Sequence, residues 1–354
     1  MKRIYFRINL LLIIMLVVSC DEPDTVVTNI VHPDGSVTRK IVMRNTKNKF
    51  EKSELQVPFD STWNVTDSLE ISAKGDTSWV KRAEKFFKNI DEINSAYKKD
   101  SSINGKMPRY AAFYRKFRWF NTEYRFSEVV EKLLVSGYPV SNFLNSEELA
   151  HYYLPDYIKF NKENGADSIK YRILADSVKK KVDVWVMKNI ASLWIEEFAR
   201  LTGHQAGPEL STEALKSRED EFAEIINENQ EKFDSLWDNG ILLKKFIGEG
   251  NAIKFKTEAD SAVSLALSRI LVDYKDYSLK IIMPGKLIAT NGYIDSSRNI
   301  LWPVKSDYYL TDRYEMWAES RTPNIWAWFV SGIFLVFVIA GIVIKKLIPP
   351  VGRD

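Results

Sequence analysis

Three histidines, one cysteine and a few short acidic or basic pairings are the residues of this 354-residue chain best suited to catalysis, metal binding or covalent attachment. His32, His151 and His204 lie far apart in the sequence, so no local pattern makes them joint ligands or a proton relay. Glu148 and His151 stand three apart, which places both on one face of a helix and matches half of a di-iron site; such a site needs a second copy and further glutamates. No second copy is present. Ser177 and Lys180 fit the Ser-x-x-Lys pattern of an activated serine, within a segment whose other charges read as a solvated helix face. The zincin His-Glu-x-x-His pair, the Gly-x-Ser-x-Gly elbow, the phosphate loop and the dinucleotide fingerprint are absent from the sequence. The chain therefore predicts no catalytic residue, no metal ligand and no cofactor.

Cys20 suggests a different chemistry, because it closes an apolar stretch and precedes the acids Asp21, Glu22 and Asp24. Lys2, Arg3 and Arg7 lead into Ile8 to Val18, which is apolar but for Asn9 and too short to cross a bilayer, the layout of a secretory signal peptide over residues 1–19. Leu16-Val17-Val18-Ser19-Cys20 resembles a bacterial lipobox. That resemblance implies cleavage before Cys20 and diacylation of its sulfur, making Cys20 the expected lipid attachment point. An uncleaved signal anchor or an unmodified thiol is the alternative. Two acyl chains hold a protein durably where one does not. With Cys20 acylated no thiol is left for a disulfide, so the exported part must be stabilised by its core alone.

Ile325 to Ile344 carries no charge over twenty residues, about 30 Å of helix, the thickness of a hydrocarbon layer. Trp326 and Trp328 stand at its start like an interfacial belt, and Lys345 and Lys346 at its end put the tail, 345–354, in the cytoplasm by the positive-inside rule. Residues 20–324 are then expected in the periplasm. The simplest arrangement sets both anchors in the bacterial cytoplasmic membrane, since the outer membrane holds barrels rather than apolar helices. Asp21 resembles an inner-membrane retention signal, although acids after a lipidated cysteine also resemble a surface-export signal of Bacteroidota. The chain has 50 Lys and Arg against 47 Asp and Glu, or +3. Setting aside three basic residues of the leader, and three basic and one acidic residue after the apolar run, leaves about −2. That balance gives no electrostatic reason to expect a nucleic-acid partner.

These anchors flank an expected α+β fold: an antiparallel β-domain built from both ends of the exported region, with a large helical insertion. Residues 20–138 form the β-rich first part, 139–276 the insertion and 277–324 the closing strands. Thr25 to Arg44 reads as a hairpin around Pro33-Asp34-Gly35, with Val37, Arg39, Ile41 and Met43 on one mostly apolar face. Residues 45–78 read as including a loop. Ala83, Phe86, Ile90, Ile93 and Tyr97 predict a helix from Trp79 to Tyr97. Lys116 to Phe126, KFRWFNTEYRF, reads as a bulged strand whose aromatics are core rather than a base-stacking platform. Three to five helices are expected between Asn145 and Tyr274, capped by Asn145 with Glu148 and by Thr257 with Asp260, and broken at Gly203 to Pro208 and Gly248 to Gly250. Short β-rich runs follow Tyr277.

Pro33-Asp34-Gly35-Ser36-Val37, Met283-Pro284-Gly285-Lys286, Asn291-Gly292 and the Leu301-Trp302 strand, set between a lipobox and a terminal apolar helix, together resemble the LppM-like membrane-anchored lipoproteins. The resemblance covers the two ends of the exported region. It implies a β-domain on the outer face of the cytoplasmic membrane, and lipid or glycolipid binding has been proposed for some of that family; no binding residue carries over. Asp-Ser or Asp-Thr tripeptides beginning at Asp24, Asp60, Asp67, Asp167, Asp176, Asp234 and Asp260 resemble O-glycosylation sites of exported Bacteroidota proteins. The expected function is a non-catalytic envelope lipoprotein that binds a lipid, glycan or protein partner beside the membrane. The alternatives are an envelope-polymer hydrolase or transferase, marked by paired acids in a cleft, and a structural subunit of a membrane complex, marked by an exposed apolar patch.

Overall fold

A computed structural model describes residues 24–48, 50, 61–71, 77–100, 105, 107–271, 274–295 and 299–347. Cys20 and the leader lie outside the described residues, as does Asp60. The fold is α+β, with two β-sheets, a large helical insertion and a C-terminal apolar helix.

Strands β1 (Asp24–Val31) and β2 (Val37–Asn45) form the expected hairpin, in register from Asp24 opposite Arg44 to Val31 opposite Val37. Val27, Val31, Val37, Ile41 and Met43 alternate inward and are buried, each contributing about 1.5–3 kcal/mol on removal from water. β3 (Asn64–Ile71) and β4 (Thr77–Phe87) extend this sheet outward from β2. β4 corrects the sequence reading, and β3 is a strand within 45–78 beside the non-strand residues 46–48 and 61–63. β3 is an edge strand exposed on both faces, so its polar sequence lacks the alternation that marks a half-buried strand. The helix expected from Trp79 begins only at α1 (Ile90–Lys99), capped by Asn89; Ala83 and Phe87 face the core from β4 while Phe86 points out.

The returning strands divide between two sheets. β7 (Tyr277–Ile282), β9 (Tyr293–Ile294) and β10 (Ile300–Val304) complete a seven-stranded sheet in the order β3-β4-β2-β1-β7-β10-β9. β5 (Arg109–Phe117), β6 (Asn121–Val130), β8 (Lys286–Thr290) and β11 (Tyr314–Pro323) form a second sheet in the order β5-β6-β11-β8. All pairings are antiparallel except β1 with β7, which run parallel from Val26 opposite Ser278. A parallel pair needs a long crossover, and here the crossover holds both the second sheet's hairpin and the helical insertion. This pair joins the two ends of the region into one sheet, and the inner faces of both sheets share a core with Ile93 and Tyr97 of α1.

The insertion packs nine α-helices among the described residues, more than the sequence suggested: α2 (Ser146–Tyr152), α3 (Asp156–Glu163), α4 (Ser168–Thr202), α5 (Thr212–Lys216), α6 (Glu219–Glu228), α7 (Phe233–Asp238), α8 (Ile241–Ile247), α9 (Glu249–Lys254) and α10 (Lys256–Ile270). The 35-residue α4 is the spine, and Trp194 in its C-terminal third packs on Phe198, Phe222, Trp237 and Phe246. Asn145 and Glu148 form the expected capping box. Thr257 does not cap: α10 starts one residue earlier, and Asp260 instead accepts from the Trp237 indole at 2.8 Å.

Candidate functional site

The sequence segment KFRWFNTEYRF is not one strand. It ends β5, turns through Arg118, Trp119 and Phe120, and begins β6; the apparent slip in alternation is the turn, closed by Arg118 N–H donating to the Asn121 carbonyl at 2.8 Å. Tyr124 and Phe126 are core as expected, but Phe117, Trp119 and Phe120 are exposed, at 55%, 48% and 40%. They lie against the start of α11 (Ile325–Leu347), which continues directly from β11. Phe117 stacks on Trp326 at 6.2 Å, Trp119 meets Trp326 edge-on at 5.3 Å, and Phe120 meets Trp328 at 4.4 Å.

Asn324, the single residue between β11 and α11, ties turn and helix together. Its side-chain amide donates to the Arg118 carbonyl at 2.7 Å, its backbone N–H donates to the Phe120 carbonyl at 3.0 Å, and its side-chain oxygen accepts from the Thr122 hydroxyl at 2.9 Å. Farther along, the Trp119 indole donates to the Ser331 hydroxyl at 2.8 Å. Ser331 lies six residues beyond Ile325, about 9 Å along a helix. The turn therefore overlaps the first turn and a half of α11. Residues 325–346 are long and apolar enough to cross a membrane, and almost none of that stretch is buried by the rest of the protein. A core helix would be covered.

Of the residues singled out for chemistry, Glu148 and Ser177 meet, His32 lies in the first hairpin, and each is used in structure. Glu148 accepts from its own cap at Asn145 N–H (2.9 Å), from the Ser177 hydroxyl (2.8 Å) and from the Lys181 ammonium (2.7 Å), so it clamps α2 to α4. Lys181, hydrogen-bonding and charge-paired, and the cap hold its carboxyl down at about 2. Ser177 thus meets Glu148, and Lys181 rather than Lys180 completes the contact. His151 is buried on α2, where desolvation first and nearby Lys159 second lower its pKa. His32 bonds Thr38 within the first hairpin at 2.9 Å; His204 falls in a short turn after α4. No group of three or more His, Cys, Asp or Glu suited to a metal ion occurs among the described residues. Of the tripeptides, Asp67 pairs with Lys81 at 2.8 Å, Asp176 precedes the Glu148-bound Ser177, and Ser261 bonds back to the Thr257 carbonyl.

Sequence reasoning missed a buried ionic cluster between the sheets. Arg39 of β2 and Glu128 of β6 are 1% and 0% exposed and meet at 2.6 Å. Asn29 donates to Glu128 and accepts from Arg39, both at 2.9 Å, and the Tyr97 hydroxyl donates to Glu128 at 2.8 Å. Burial alone would raise the Glu128 pKa, but Arg39 and Tyr97 hold it below the ordinary carboxylate range. A second cluster joins the β-domain to the insertion: Tyr152, Tyr153 and Tyr308 pack with ring centroids 5.0 Å apart, and the Tyr152 hydroxyl donates to Asp307 at 2.8 Å. Burial pushes the Asp307 carboxyl up.

Comparison with protein-family models, with curated proteins and with solved structures returns no match.

Proposed function

We propose that this chain is a non-catalytic envelope lipoprotein, held on the cytoplasmic membrane by α11 and by acylated Cys20, whose periplasmic β-domain binds a lipid-class partner at the membrane surface. The aromatic turn fastened to the start of α11 carries this reading. It fixes the β-domain to the one element among the described residues that is both long and apolar enough to span a bilayer, and it presents Phe117, Trp119 and Phe120 at the depth where aromatic rings gather. The LppM-like resemblance belongs to the same reading, since its motifs fall in the β1–β2 turn, the β7–β8 connection, the β8–β9 turn and β10.

The two proposed anchors attach at opposite ends of the β-domain. β1 runs parallel to β7, and β7 runs toward Pro284, whose carbonyl accepts from Ser320 near the α11 end of β11. Asp24 is therefore about eight residues, or roughly 26 Å, from the Pro284 level. Four residues back to Cys20 span at most about 14 Å. For both anchors to enter one bilayer, the strands must tilt well away from the bilayer normal rather than stand upright on the membrane. Intact mass and membrane fractionation of the native protein beside Cys20→Ser test the proposal: acyl mass lost in the variant, with both proteins in cytoplasmic-membrane fractions, is expected. Absence of acyl mass, or recovery in the outer membrane, contradicts it.

A second reading, a subunit of a membrane complex, draws on Tyr157, Phe160, Ile169 and Ile173, all exposed where α3 leads into α4. Crosslinking from Phe160 in whole membranes tests it: discrete adducts are expected if the insertion holds a partner, and none if it does not.

A further inference from the structure

The outer face of the four-stranded sheet carries one unbalanced rung. Register places Lys116 of β5 opposite Glu123 of β6, Glu123 opposite Arg321 of β11, and Arg321 opposite Lys286 of β8. Arg118, in the turn, also reaches Glu123 at 3.2 Å. The rung thus holds four cations and one carboxylate, only Arg118 pairs with that carboxylate, and all four cations are exposed. Among the described residues no ion pair within 4 Å reaches Lys116, Lys286 or Arg321, and Glu319, two residues from Arg321 on the same face, is held by Arg125. Farther from α11 the same face is balanced: Arg125 lies between Glu319 at 2.8 Å and Glu315 at 3.3 Å, and Arg313 between Glu131 and Glu315. The positive excess is confined to the edge beside the apolar helix.

That edge has a fixed distance from the helix. The rung is one residue, about 3.4 Å, from the Phe117–Thr122–Thr322 rung, and beyond that come the aromatic turn and Asn324. With Trp119 bonded six residues into α11, the bilayer surface must meet the protein near this rung. Lysine and arginine stems extend along apolar surface while their heads stay at the polar boundary, where phosphodiester groups lie. An arginine fork grips a phosphate through two parallel hydrogen bonds, and an ammonium serves as a point charge. Glu123 orients Arg118 without neutralising the set.

We propose that Lys116, Arg118, Lys286 and Arg321 form a binding site for the anionic headgroups of phospholipids in the leaflet that faces the β-domain. The inference rests on α11 crossing that membrane. Lipid held at this rung restrains the tilt of the β-domain on the bilayer, and the aromatic turn supplies the apolar half of the contact.

The test uses the full chain in phosphatidylcholine vesicles doped with spin-labelled phosphatidylglycerol or spin-labelled phosphatidylcholine, reading the motionally restricted fraction of each. The native chain is expected to prefer the anionic lipid by roughly fivefold, the scale of a single cation near a charged surface. Lys116→Gln, Lys286→Gln and Arg321→Gln together are expected to remove most of that preference, while Lys116→Arg with Lys286→Arg keeps it. Lys345 and Lys346 at the far end of α11 are unchanged in every variant, so the difference reports on the rung. Equal association of both lipids with the native chain, or a preference that survives the triple substitution, overturns the proposal. So does inorganic phosphate abolishing the preference where chloride of equal ionic strength does not, since the rung would then be a site for free phosphate. A chain that fails to float with the vesicles removes the membrane reading itself, and with it this inference.

Discussion

Arg39 shows what a single position can and cannot disclose. The alternation of Val37, Arg39, Ile41 and Met43 assigns it to the apolar face of β2, and it is buried there; nothing nearby in sequence announces Glu128, 89 residues away. Removing one partner of such a pair leaves an uncompensated buried charge, so Glu128→Gln is expected to cost about 3–5 kcal/mol by chemical denaturation. The pH dependence has a definite sign. Glu128 and Glu148 both have folded-state values below the unfolded value of about 4.3, so each stabilises the fold fully above that value and loses its contribution as pH falls through the folded one. For Glu148 that window runs from about 4.3 down to about 2. Glu148→Gln is expected to lower stability at neutral pH and to flatten its decline across this window, as read by denaturant midpoints between pH 5 and 2.

Among the elements, those with a clear period were legible: the first hairpin, the cap at Asn145, the spine helix α4, and the closing strands. β4 was not, because Ala83, Phe86, Ile90, Ile93 and Tyr97 mimic a helical stripe across what is a strand followed by a helix. The aromatic turn was not, because a hairpin tip without Gly, Asn or Pro gives no turn signal, and its exposed rings are explained only by α11. The cationic rung was not legible either, since Lys286 and Arg321 lie far along the sequence and join Lys116 and Arg118 only through the register of the sheet. Asn324 should be the fastening of this joint. Asn324→Ala removes its hydrogen bonds to Arg118, Phe120 and Thr122, and is expected to raise amide exchange at Asn121 and Thr122 while leaving the insertion protected; unchanged exchange there would deny it that role. Gly292 tests the other junction. A methyl group at this position would lie 2.5 Å from the Trp302 ring, whose indole bonds the Asn291 side chain at 3.0 Å. Gly292→Ala is expected to cost about 1–3 kcal/mol through overpacking, seen as a lower thermal midpoint.

For the whole molecule, the arrangement separates three tasks along the strands. α11 and the aromatic turn occupy one end of the four-stranded sheet, the ionic cluster locks the two sheets in the middle, and the insertion packs at the other end, where Leu134, Tyr308 and Leu310 join its core. β6 alone, ten residues long, covers about 34 Å of that axis. Fold class and the apolar helix could be read from the sequence, whereas the placement of Asp24 and of α11 at opposite ends required the parallel β1–β7 pair. The central claim is that the β-domain is seated on the bilayer through its aromatic turn. The most direct measurement is the depth of a nitroxide at Trp119→Cys, in a Cys20→Ser background, with the full chain reconstituted in vesicles. Collisions with oxygen exceeding those with an aqueous nickel reagent are expected, placing position 119 inside the headgroup boundary. Collisions dominated by the aqueous reagent, as at a water-exposed site, would contradict it.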